Sequence, residues 1–534
     1  MSSLRRPALG PIVGYTTSSS CRLWIRGADP ADSKSSLAAD RRTIGVITVL
    51  SDGLTAPPYP GRSCYFRLHR EFDRTGIFTL GEDRSLGTKG KPFKLQADTE
   101  YRVRMGTIAV DDSRGEDKNV SDDELVKLLP KPSVWAEELA KLPEEQSEAV
   151  FRTFPKDSAG NLKFLLESCH YPGILWKKKR ADRIFGPMLD RSHFENARFV
   201  LMVGDQIYAD MLNRSIPVGL ADTFDKSQDR YHDAFESQKV RRLLRQLPTY
   251  MMLDDHEIED NWTQDRILDR KKRVLFQLAI GAYMSCQWAH SPRNFGTKLF
   301  YSFDCAGFPF FVLDERTQRF KDDEDLLEDN HLLRRPSLDP EHEPSQLDHL
   351  CQWLSEQQEK RGDIPKFITS PSVFAPNTIA TLKNDRAKNK DDSWASFPTT
   401  RRTLLDHIVG NQIQNVVCLS GDVHCSNLAR IWFSGIPEAE KLKAFSVTSS
   451  AFYWPFPFAD GDPSEFVHNS TKPDQKDTFE LSDGITMDYE SHNFIQENNF
   501  TQVEADWAGK KLKVRVFDTH GLPLPTRVSE LDLA

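Results

Sequence analysis

The sequence predicts a fold in two parts, an all-β sandwich domain followed by an α/β domain. The chain has 534 residues, more than one hydrophobic core ordinarily organises. As far as residue 157, short segments alternate apolar and polar side chains, as half-buried strands do. From residue 158 onward, continuous apolar runs alternate with segments of helical periodicity, which favours strands covered on both faces. We therefore place the domain boundary between residues 157 and 158.

The first domain, residues 1–157, is predicted to be a small β-sandwich. Cys21 to Arg26 alternates apolar and polar side chains, and Tyr101 to Met105 does the same. A charged insertion near 111–148 interrupts the strand pattern and carries short helical patterns, so we expect a surface excursion there. The other candidate strands are 46–50, 65–68, 77–80 and 150–154.

The second domain, residues 158–534, is predicted to contain a layered α/β sheet. Its candidate buried strands are the apolar runs 164–166, 199–203, 250–253, 310–313, 367–368 and 416–419. Between them lie helical patterns, such as the long segment 265–290. Another helix is predicted to begin at Ser345, because Asp348 stands at the position that completes a capping box.

Composition and charge narrow the class of protein. The formal net charge of −9 argues against nucleic acid as a partner, because a nucleic-acid footprint is basic. No apolar run reaches the eighteen residues that a membrane span needs. Arg5 and Arg6 are not followed by the apolar stretch of an export signal, and the eight cysteines show no zinc-ribbon spacing. We therefore expect a cytoplasmic protein with free thiols, and no pattern predicts its oligomeric state.

Titratable side chains follow five of the buried runs. The segments that follow them begin with Glu167-Ser168-Cys169-His170, Gly204-Asp205, Asp254-Asp255-His256-Glu257, Asp314-Glu315-Arg316 and Ser420-Gly421-Asp422-Val423-His424. Open α/β sheets bind ligands outside the carboxyl ends of their strands. An aspartate after one strand is often only a helix cap, but five such ends predict a shared site. The clustered carboxylates would repel one another in a cleft unless a bound cation stabilised their ionised forms.

These segments resemble the PhoD-like alkaline phosphatases, the alkaline phosphatase D family of the calcineurin-like metallophosphoesterases. The segment 204–210 (GDQIYAD) is similar to the family's aspartate-tyrosine motif, and 254–262 (DDHEIEDNW) to its most specific signature. The segment 420–424 (SGDVH) matches the last ligand motif, and 168–169 and 314–319 also fit. The resemblance spans roughly residues 11–516 and implies an α/β metallophosphoesterase sandwich preceded by an all-β sandwich.

The donor types divide the predicted metal ligands into two groups. Cys169, Tyr208 and His424 suit a transition metal, and the resemblance implies Fe³⁺ there. Asp205 would bridge to a second metal. Asp255, Asn261 and Asp422 offer only oxygen, which suits Ca²⁺, the ion that the resemblance implies, with Mg²⁺ or Mn²⁺ as alternatives.

Two residues are predicted to act without binding metal. The resemblance implies that His256 lies beside the second metal, where it would stabilise the transition state or protonate the leaving alkoxide. The alternative is that His256 only hydrogen-bonds to Asp255. Arg316 is a candidate phosphate clamp, because guanidinium binds phosphate oxygens in a planar fork. It could equally pair with Asp314 or Glu257 in a structural role.

An aromatic segment, residues 452–458 (FYWPFPF), follows a further apolar strand pattern. It is too rich in large apolar groups for an ordinary exposed loop. We expect it to line the pocket and contact an organic leaving group, or else to pack onto the first domain.

Together these patterns predict metal-dependent hydrolysis of small phosphate monoesters or diesters, with a dinuclear site that activates water. The alternative is a non-catalytic binding or scaffold protein on the same fold. A protein of that kind would have lost ligands, whereas this sequence keeps the full set. The absence of a Gly-x-Ser-x-Gly motif argues against an α/β-hydrolase acting on other esters.

Overall fold

The computed structural model describes most of the chain. The described residues are 4–27, 42–51, 63–110, 119–156, 160–172, 178–211, 218–321, 326–334, 343–378, 392–456 and 466–534. Three sequence predictions lie partly outside this set. They are the insertion at 111–118, the domain boundary at 157–159 and the end of the aromatic segment at 457–458.

Strands near the amino terminus form two antiparallel sheets. Within the described residues these strands are β1 (Leu4–Arg5), β2 (Leu9–Thr16), β3 (Cys21–Arg26), β4 (Arg42–Ser51), β5 (Ser63–Arg67), β6 (Thr75–Leu80), β7 (Glu100–Val110) and β8 (Glu148–Arg152). One sheet has the order β1-β7-β4-β5 with β8 also on β7, and the other has the order β2-β3-β6. Their facing side chains, among them Leu23, Ile47 and Val103, form one buried cluster. The predicted all-β sandwich is confirmed.

The predicted insertion packs against this sandwich. Its short helices are α1 (Asp122–Val126), α2 (Ala136–Ala140) and α3 (Glu144–Ser147). Leu125 and Leu139 are buried with Ile44 and Ile108 of the five-stranded sheet. The insertion therefore covers the outer face of that sheet, as a half-apolar helical segment must to bury its apolar side.

The remaining strands form two larger sheets. Within the described part of the chain they are β9 (Asn161–Glu167), β10 (Val200–Met202), β11 (Thr249–Met251), β12 (Tyr301–Cys305), β13 (Phe308–Val312), β14 (Lys366–Thr369), β15 (Val416–Ser420), β16 (Ser426–Ser434), β17 (Lys443–Thr448), β18 (Phe479–Glu480), β19 (Thr486–Ile495), β20 (Asn499–Asp506), β21 (Lys511–Asp518) and β22 (Glu530–Asp532). The six-stranded sheet has the order β11-β10-β9-β20-β21-β22. The eight-stranded sheet has the order β12-β13-β14-β15-β17-β16-β19-β18.

The two larger sheets pack face to face through a phenylalanine-rich core. Phe164 of the six-stranded sheet stands edge-on to Phe310 and Phe367 of the eight-stranded sheet, with ring centroids 5.3 and 5.4 Å apart. All three side chains are fully buried. Such continuous apolar strands are expected where both faces of a sheet are covered.

Helices cover the outer faces of both sheets. The helices described in this part of the chain are α4 (Lys178–Ala181), α5 (Phe185–Glu195), α6 (Phe224–Phe235), α7 (Gln238–Leu244), α8 (Arg270–Cys286), α9 (Gln346–Arg361), α10 (Pro398–Gly410) and α11 (Pro437–Glu440). Side chains of α5, α6 and α7 pack on the six-stranded sheet, and those of α9 and α10 on the eight-stranded one. The predicted capping box of Ser345 and Asp348 begins α9. The predicted α/β sandwich is confirmed.

Parallel strands bring their carboxyl ends to one edge of the fold. The strands β9, β10 and β11 are parallel in one sheet, and β13, β14, β15 and β17 are parallel in the other. The segments that follow these strands therefore meet above the inter-sheet core. Among the described residues, no helix combines the length and the apolar character that crossing a bilayer requires.

Candidate metal centre

Four carboxylates from three strand ends converge at this edge. Asp205 follows β10, Asp254 and Asp255 follow β11, and Asp422 follows β15. One oxygen from each lies within 4.8 Å of the others. His256 forms a second group at the same spacing with Asp205 and Asp255. The geometry is that of side chains arranged to share cations.

A thiol and a phenol flank the central carboxylate. The Sγ atom of Cys169 lies 3.5 Å from Oδ2 of Asp205. The hydroxyl of Tyr208 donates to the same oxygen at 3.4 Å. Both side chains are buried, and burial raises the pKa of each well above its ordinary value. A cation at this position would favour the ionised thiolate and phenolate.

His424 is held as a neutral imidazole beside the cluster. Burial lowers its pKa to about 3. The imidazole ring lies nearly parallel to the indole of Trp454, with centroids 3.7 Å apart. Its Nε2 atom is buried and has no hydrogen-bond partner among the described residues. A neutral imidazole with a free nitrogen is the form that binds a metal.

Asn261 differs from the other predicted ligands. The residue is exposed, and its side-chain amide donates to Asp260 at 3.3 Å. Its backbone N–H donates to Oδ2 of Asp255 at 2.5 Å. In this structure Asn261 therefore acts on the cluster through its backbone, and a ligand role for its side chain stays a prediction.

The backbone at the predicted ligands is unusual. Positive φ angles occur at Cys169 (57°), Asp205 (56°), Asn261 (53°), Asp422 (68°) and His424 (51°). Such angles are uncommon for residues other than glycine, and they gather at functional sites because the surrounding structure must hold them there. Four of these residues, Cys169, Asp205, Asp422 and His424, lie in the turns that follow β9, β10 and β15.

A glycine before Asp205 allows the turn after β10 to approach Asp254 closely. Gly204 has φ +87°, and a Cβ added to it would lie 2.3 Å from the Cβ of Asp254. No side chain fits at that distance. The position therefore requires glycine for both conformation and space.

The electrostatics of the cluster fit a bound cation. Burial raises the pKa of Asp254 to about 8, although Arg316 beside it acts in the opposite direction. Burial also raises the pKa values of Asp205 and Asp422 well above the ordinary value, and neighbouring carboxylates add to the effect. Buried oxygens of Asp254 and Asp255 have no hydrogen-bond partner among the described residues. Cations would satisfy these oxygens and stabilise the ionised carboxylates.

Glu257 braces the site, a role that sequence reasoning missed. Its carboxylate accepts hydrogen bonds from the backbone N–H groups of Asp205, Gln206 and Asp254 at 3.2, 2.8 and 2.9 Å. It also accepts one from the side chain of Gln287 at 3.1 Å. One side chain thus ties the turn after β10 to the turn after β11. Its place in the 254–257 segment was the only available signal.

Arg316 is fully buried between carboxylates. It pairs with Asp254 and Asp392, and its guanidinium lies 3.5 Å from Oδ1 of Asp255. The alternative partners predicted for it were Asp314 and Glu257, whereas the structure places Asp254 and Asp392 there. In the sequence Asp392 follows no apolar run, so the strand-end pattern could not identify it.

His256 is oriented by a carboxylate that was also not predicted. Its Nδ1 atom lies 2.9 Å from Oδ1 of Asp210, and its ring lies over Tyr208 with centroids 4.2 Å apart. Burial alone would lower the pKa of His256, but Asp255, Asp205 and Asp210 outweigh burial and raise it well above the ordinary value. The structure therefore favours a protonated His256 held beside the carboxylate cluster.

The aromatic segment packs beside the cluster. In its described part, residues 452–456, Tyr453 is buried with Tyr171 and Tyr208, and Trp454 covers His424. The segment follows β17, so it too lies at the carboxyl edge.

Comparisons with known proteins agree with the architecture. Residues 175–503 match the family model of PhoD-like phosphatases. Alkaline phosphatase D of Bacillus subtilis (strain 168) is 25% identical over 191 residues, which are 34% of this chain and 31% of that protein. The match thus spans less than a third of that curated relative. A solved structure of PhoD, at 15% identity and TM-score 0.63, covers 98% of this chain and 93% of its own and shows the same fold. Because the family model covers more than half of its length, this chain belongs to the PhoD-like phosphatase family.

Proposed function

We propose that this protein hydrolyses small phosphate esters at a two-metal centre built on its carboxylate cluster. The observation that carries the proposal is the convergence of Asp205, Asp254, Asp255 and Asp422, with one oxygen from each within 4.8 Å of the others and only Asp422 partly exposed. Family membership and the fold of the PhoD structure support it. A scaffold protein would have no reason to retain buried carboxylates that repel one another.

The donors support two different cations. Cys169, Tyr208 and His424 would hold Fe³⁺ on one side of Asp205. Asp255 and Asp422, with Asn261 as a further oxygen donor, would hold Ca²⁺, or Mg²⁺ or Mn²⁺, on the other. Asp254 lies within the same cluster. When bound, such a pair supplies a water of lowered pKa and neutralises charge on the phosphoryl oxygens.

The chain's own residues would position the ester and move a proton. His256 stands beside Asp205 and Asp255 with its ring fixed by Asp210. From there the protonated imidazole would donate to the ester oxygen that leaves phosphorus. Arg316 would act on the carboxylates, because its guanidinium is buried against them.

The proposal is tested by replacing the central carboxylate. We expect Asp205→Ala to abolish hydrolysis of 4-nitrophenyl phosphate and of bis(4-nitrophenyl) phosphate, while circular dichroism shows an intact fold. Asp225→Ala, at an exposed aspartate in the first turn of α6, is the matched control. Retention of most activity by Asp205→Ala would eliminate the proposed centre. The relative rates on the two substrates decide between a monoesterase and a diesterase.

The metals are tested independently of activity. Elemental analysis of purified protein should find one iron per chain and a second cation. Tyrosinate or thiolate bound to Fe³⁺ should give a visible charge-transfer band that Tyr208→Phe shifts or removes. A colourless, iron-free and fully active preparation would rule out Fe³⁺ at the Cys169 side.

A further inference from the structure

An aromatic wall stands beside the candidate metal centre. We use this name for five residues, Tyr171, Tyr208, Tyr453, Trp454 and Phe456. Trp454 and Phe456 meet Tyr171 edge-on, with ring centroids 5.3 and 5.7 Å away. Trp454 and Phe456 are themselves 4.9 Å apart. The rings come from three separate segments, those after β9, β10 and β17.

The wall directly adjoins the carboxylate cluster. Trp454 lies flat on His424, with an angle of 12° between the ring planes. The hydroxyl of Tyr208 donates to Asp205. An ester whose phosphate lies at the carboxylates would therefore have aromatic surface within one ring's width of its organic group.

Two hydrogen-bond donors in the wall are unused. The hydroxyl of Tyr171 and the indole N–H of Trp454 are buried and have no acceptor among the described residues. Tyr171 as a whole is fully buried. Buried donors are nearly always paired, so an unpaired one points to a functional role. Two such donors, on rings whose centroids lie 5.3 Å apart beside the candidate metal centre, suit a ligand that brings its own acceptors.

The outer end of the wall is open to solvent. Phe456 is 36% exposed, whereas Tyr171, Tyr208 and Tyr453 are buried. The wall thus runs from an exposed ring to the buried carboxylates, as a surface that receives a flat group would. Aromatic side chains bind other rings by stacking and edge-to-face contact.

We propose that the aromatic wall is the leaving-group subsite of this phosphatase and selects esters of planar aromatic alcohols that carry a hydrogen-bond acceptor. The inference rests on the proposed function. In the reaction, water adds to phosphorus and the bond from phosphorus to the aryl oxygen breaks. An aryl phosphate dianion and water thus give the aryl alcohol and hydrogen phosphate. The wall takes no part in this chemistry and holds the aryl group while it occurs.

The test compares aryl and alkyl esters on the metal-loaded full chain. Phe456→Ala should lower kcat/KM for phenyl phosphate about tenfold, mainly through KM, because one ring contact is lost. The same substitution should leave kcat/KM for methyl phosphate unchanged, since a methyl group does not reach the exposed ring. Tyr171→Phe removes one hydrogen-bond donor and keeps the ring. It should therefore raise KM for 4-nitrophenyl phosphate, whose nitro group is an acceptor, more than KM for phenyl phosphate. Phe194→Ala, at a phenylalanine that is 79% exposed in the last turn of α5, is the matched control.

Binding of non-hydrolysable analogues separates this inference from the proposed function. Phenylphosphonate should bind wild-type protein more tightly than methylphosphonate, and Phe456→Ala should remove most of that difference in calorimetry. Equal affinities for the two phosphonates, or equal losses on aryl and alkyl esters in Phe456→Ala, would show that the wall is only packing. Failure of the wild type to hydrolyse any ester would instead overturn the proposed function, and the phosphonate preference would still decide the subsite.

Discussion

The Nε atom of Arg316 lies 2.5 Å from Oδ1 of Asp254, and neither side chain is exposed to solvent. The other end of the same guanidinium lies 2.5 Å from Oδ2 of Asp392. A cation placed this way offsets the repulsion within the carboxylate cluster. Its fork is already engaged by protein carboxylates, so it has no open face for a phosphate. The relationship explains how several acidic residues remain together in a buried cleft.

Removing this cation should destabilise the fold. We expect Arg316→Gln to lower the free energy of unfolding by about 3–5 kcal/mol, because the buried Asp254 loses its cationic partner and Asp392 keeps only Arg319. Urea unfolding measures the change. Arg242→Gln breaks a surface pair with Asp190, in which both side chains are at least half exposed, and should cost about 0–1 kcal/mol. If Arg316→Gln raised KM and left stability unchanged, Arg316 would be a phosphate clamp after all.

Metal removal should lower the melting temperature. Chelated protein keeps the repelling carboxylates without cations, whereas ions that bind only the folded state stabilise it by about 2.7 kcal/mol at a hundred times Kd. We expect Asp422→Asn to melt at a higher temperature than wild type when chelated, and at a lower temperature when metal is restored. Scanning calorimetry across a metal titration measures both. An unchanged melting temperature after chelation would contradict a cation site in this cluster.

Gly204 should not tolerate alanine. In Gly204→Ala the new Cβ would meet the Cβ of Asp254 at 2.3 Å and would also suffer the strain of φ +87°. Gly296→Ala is a matched control, because Gly296 has φ +67° but no atom within 4 Å of an added Cβ. Strain alone costs about 1–2 kcal/mol. We expect Gly204→Ala to exceed this cost and to lose bound metal, as measured by urea unfolding and elemental analysis. Equal losses of stability and of metal in the two variants would mean that the turn at Gly204 can shift to accommodate the added Cβ.

His256 should matter most for poor leaving groups. Alkoxides need a proton to leave, whereas 4-nitrophenolate does not. We expect His256→Gln to reduce kcat about 10²–10⁴-fold for an alkyl phosphate and much less for 4-nitrophenyl phosphate. Asp210→Asn removes one of the charges that raise the pKa of His256 and weakens the contact that orients the ring, so it should give a smaller loss of the same kind. Equal losses on both substrates would indicate charge stabilisation in place of proton donation.

The salt bridge of Asp73 with Arg26 and His232 should make stability sensitive to acid. Burial works to raise the pKa of Asp73, but hydrogen bonds from His232 and Arg26 outweigh it and lower the pKa below 3.8. A carboxyl whose pKa is lower in the folded state contributes stability above its unfolded pKa and loses it as pH falls through the folded one. The stability difference between wild type and Asp73→Asn should therefore shrink as pH falls from about 6 to about 3. Urea unfolding at several pH values measures it, and a constant difference would contradict the assignment.

Much of this architecture was predictable because short local patterns in the sequence determine the strands and the residues that follow them. Continuous apolar runs predicted β9, β10, β13 and β15, and the residues after them predicted which edge of the sheets would hold the site. What could not be predicted depends on contacts between distant segments. Asp392 meets Arg316 across 76 residues, and no local pattern distinguishes it from a surface aspartate.

Motif position also says little about where a side chain points. Asn261 stands in the most specific motif, yet its side chain is exposed and bonds to Asp260. Sequence left two alternatives open for the segment 452–458, the site or the sandwich. In the structure Trp454 stacks on His424, whereas Phe452 belongs to a buried cluster that also contains Leu9 and Trp24 of the sandwich. Contact of the segment with a leaving group stays a prediction.

The four hydrogen bonds that Glu257 accepts have a consequence for ion exchange. Since Glu257 ties together the turns bearing Asp205 and Asp254, an arriving ion would find its donors already in place, and little ordering entropy would remain to oppose its binding. Discrimination among ions would then depend on ionic radius, because a rigid set of donors adapts poorly to an ion of the wrong size.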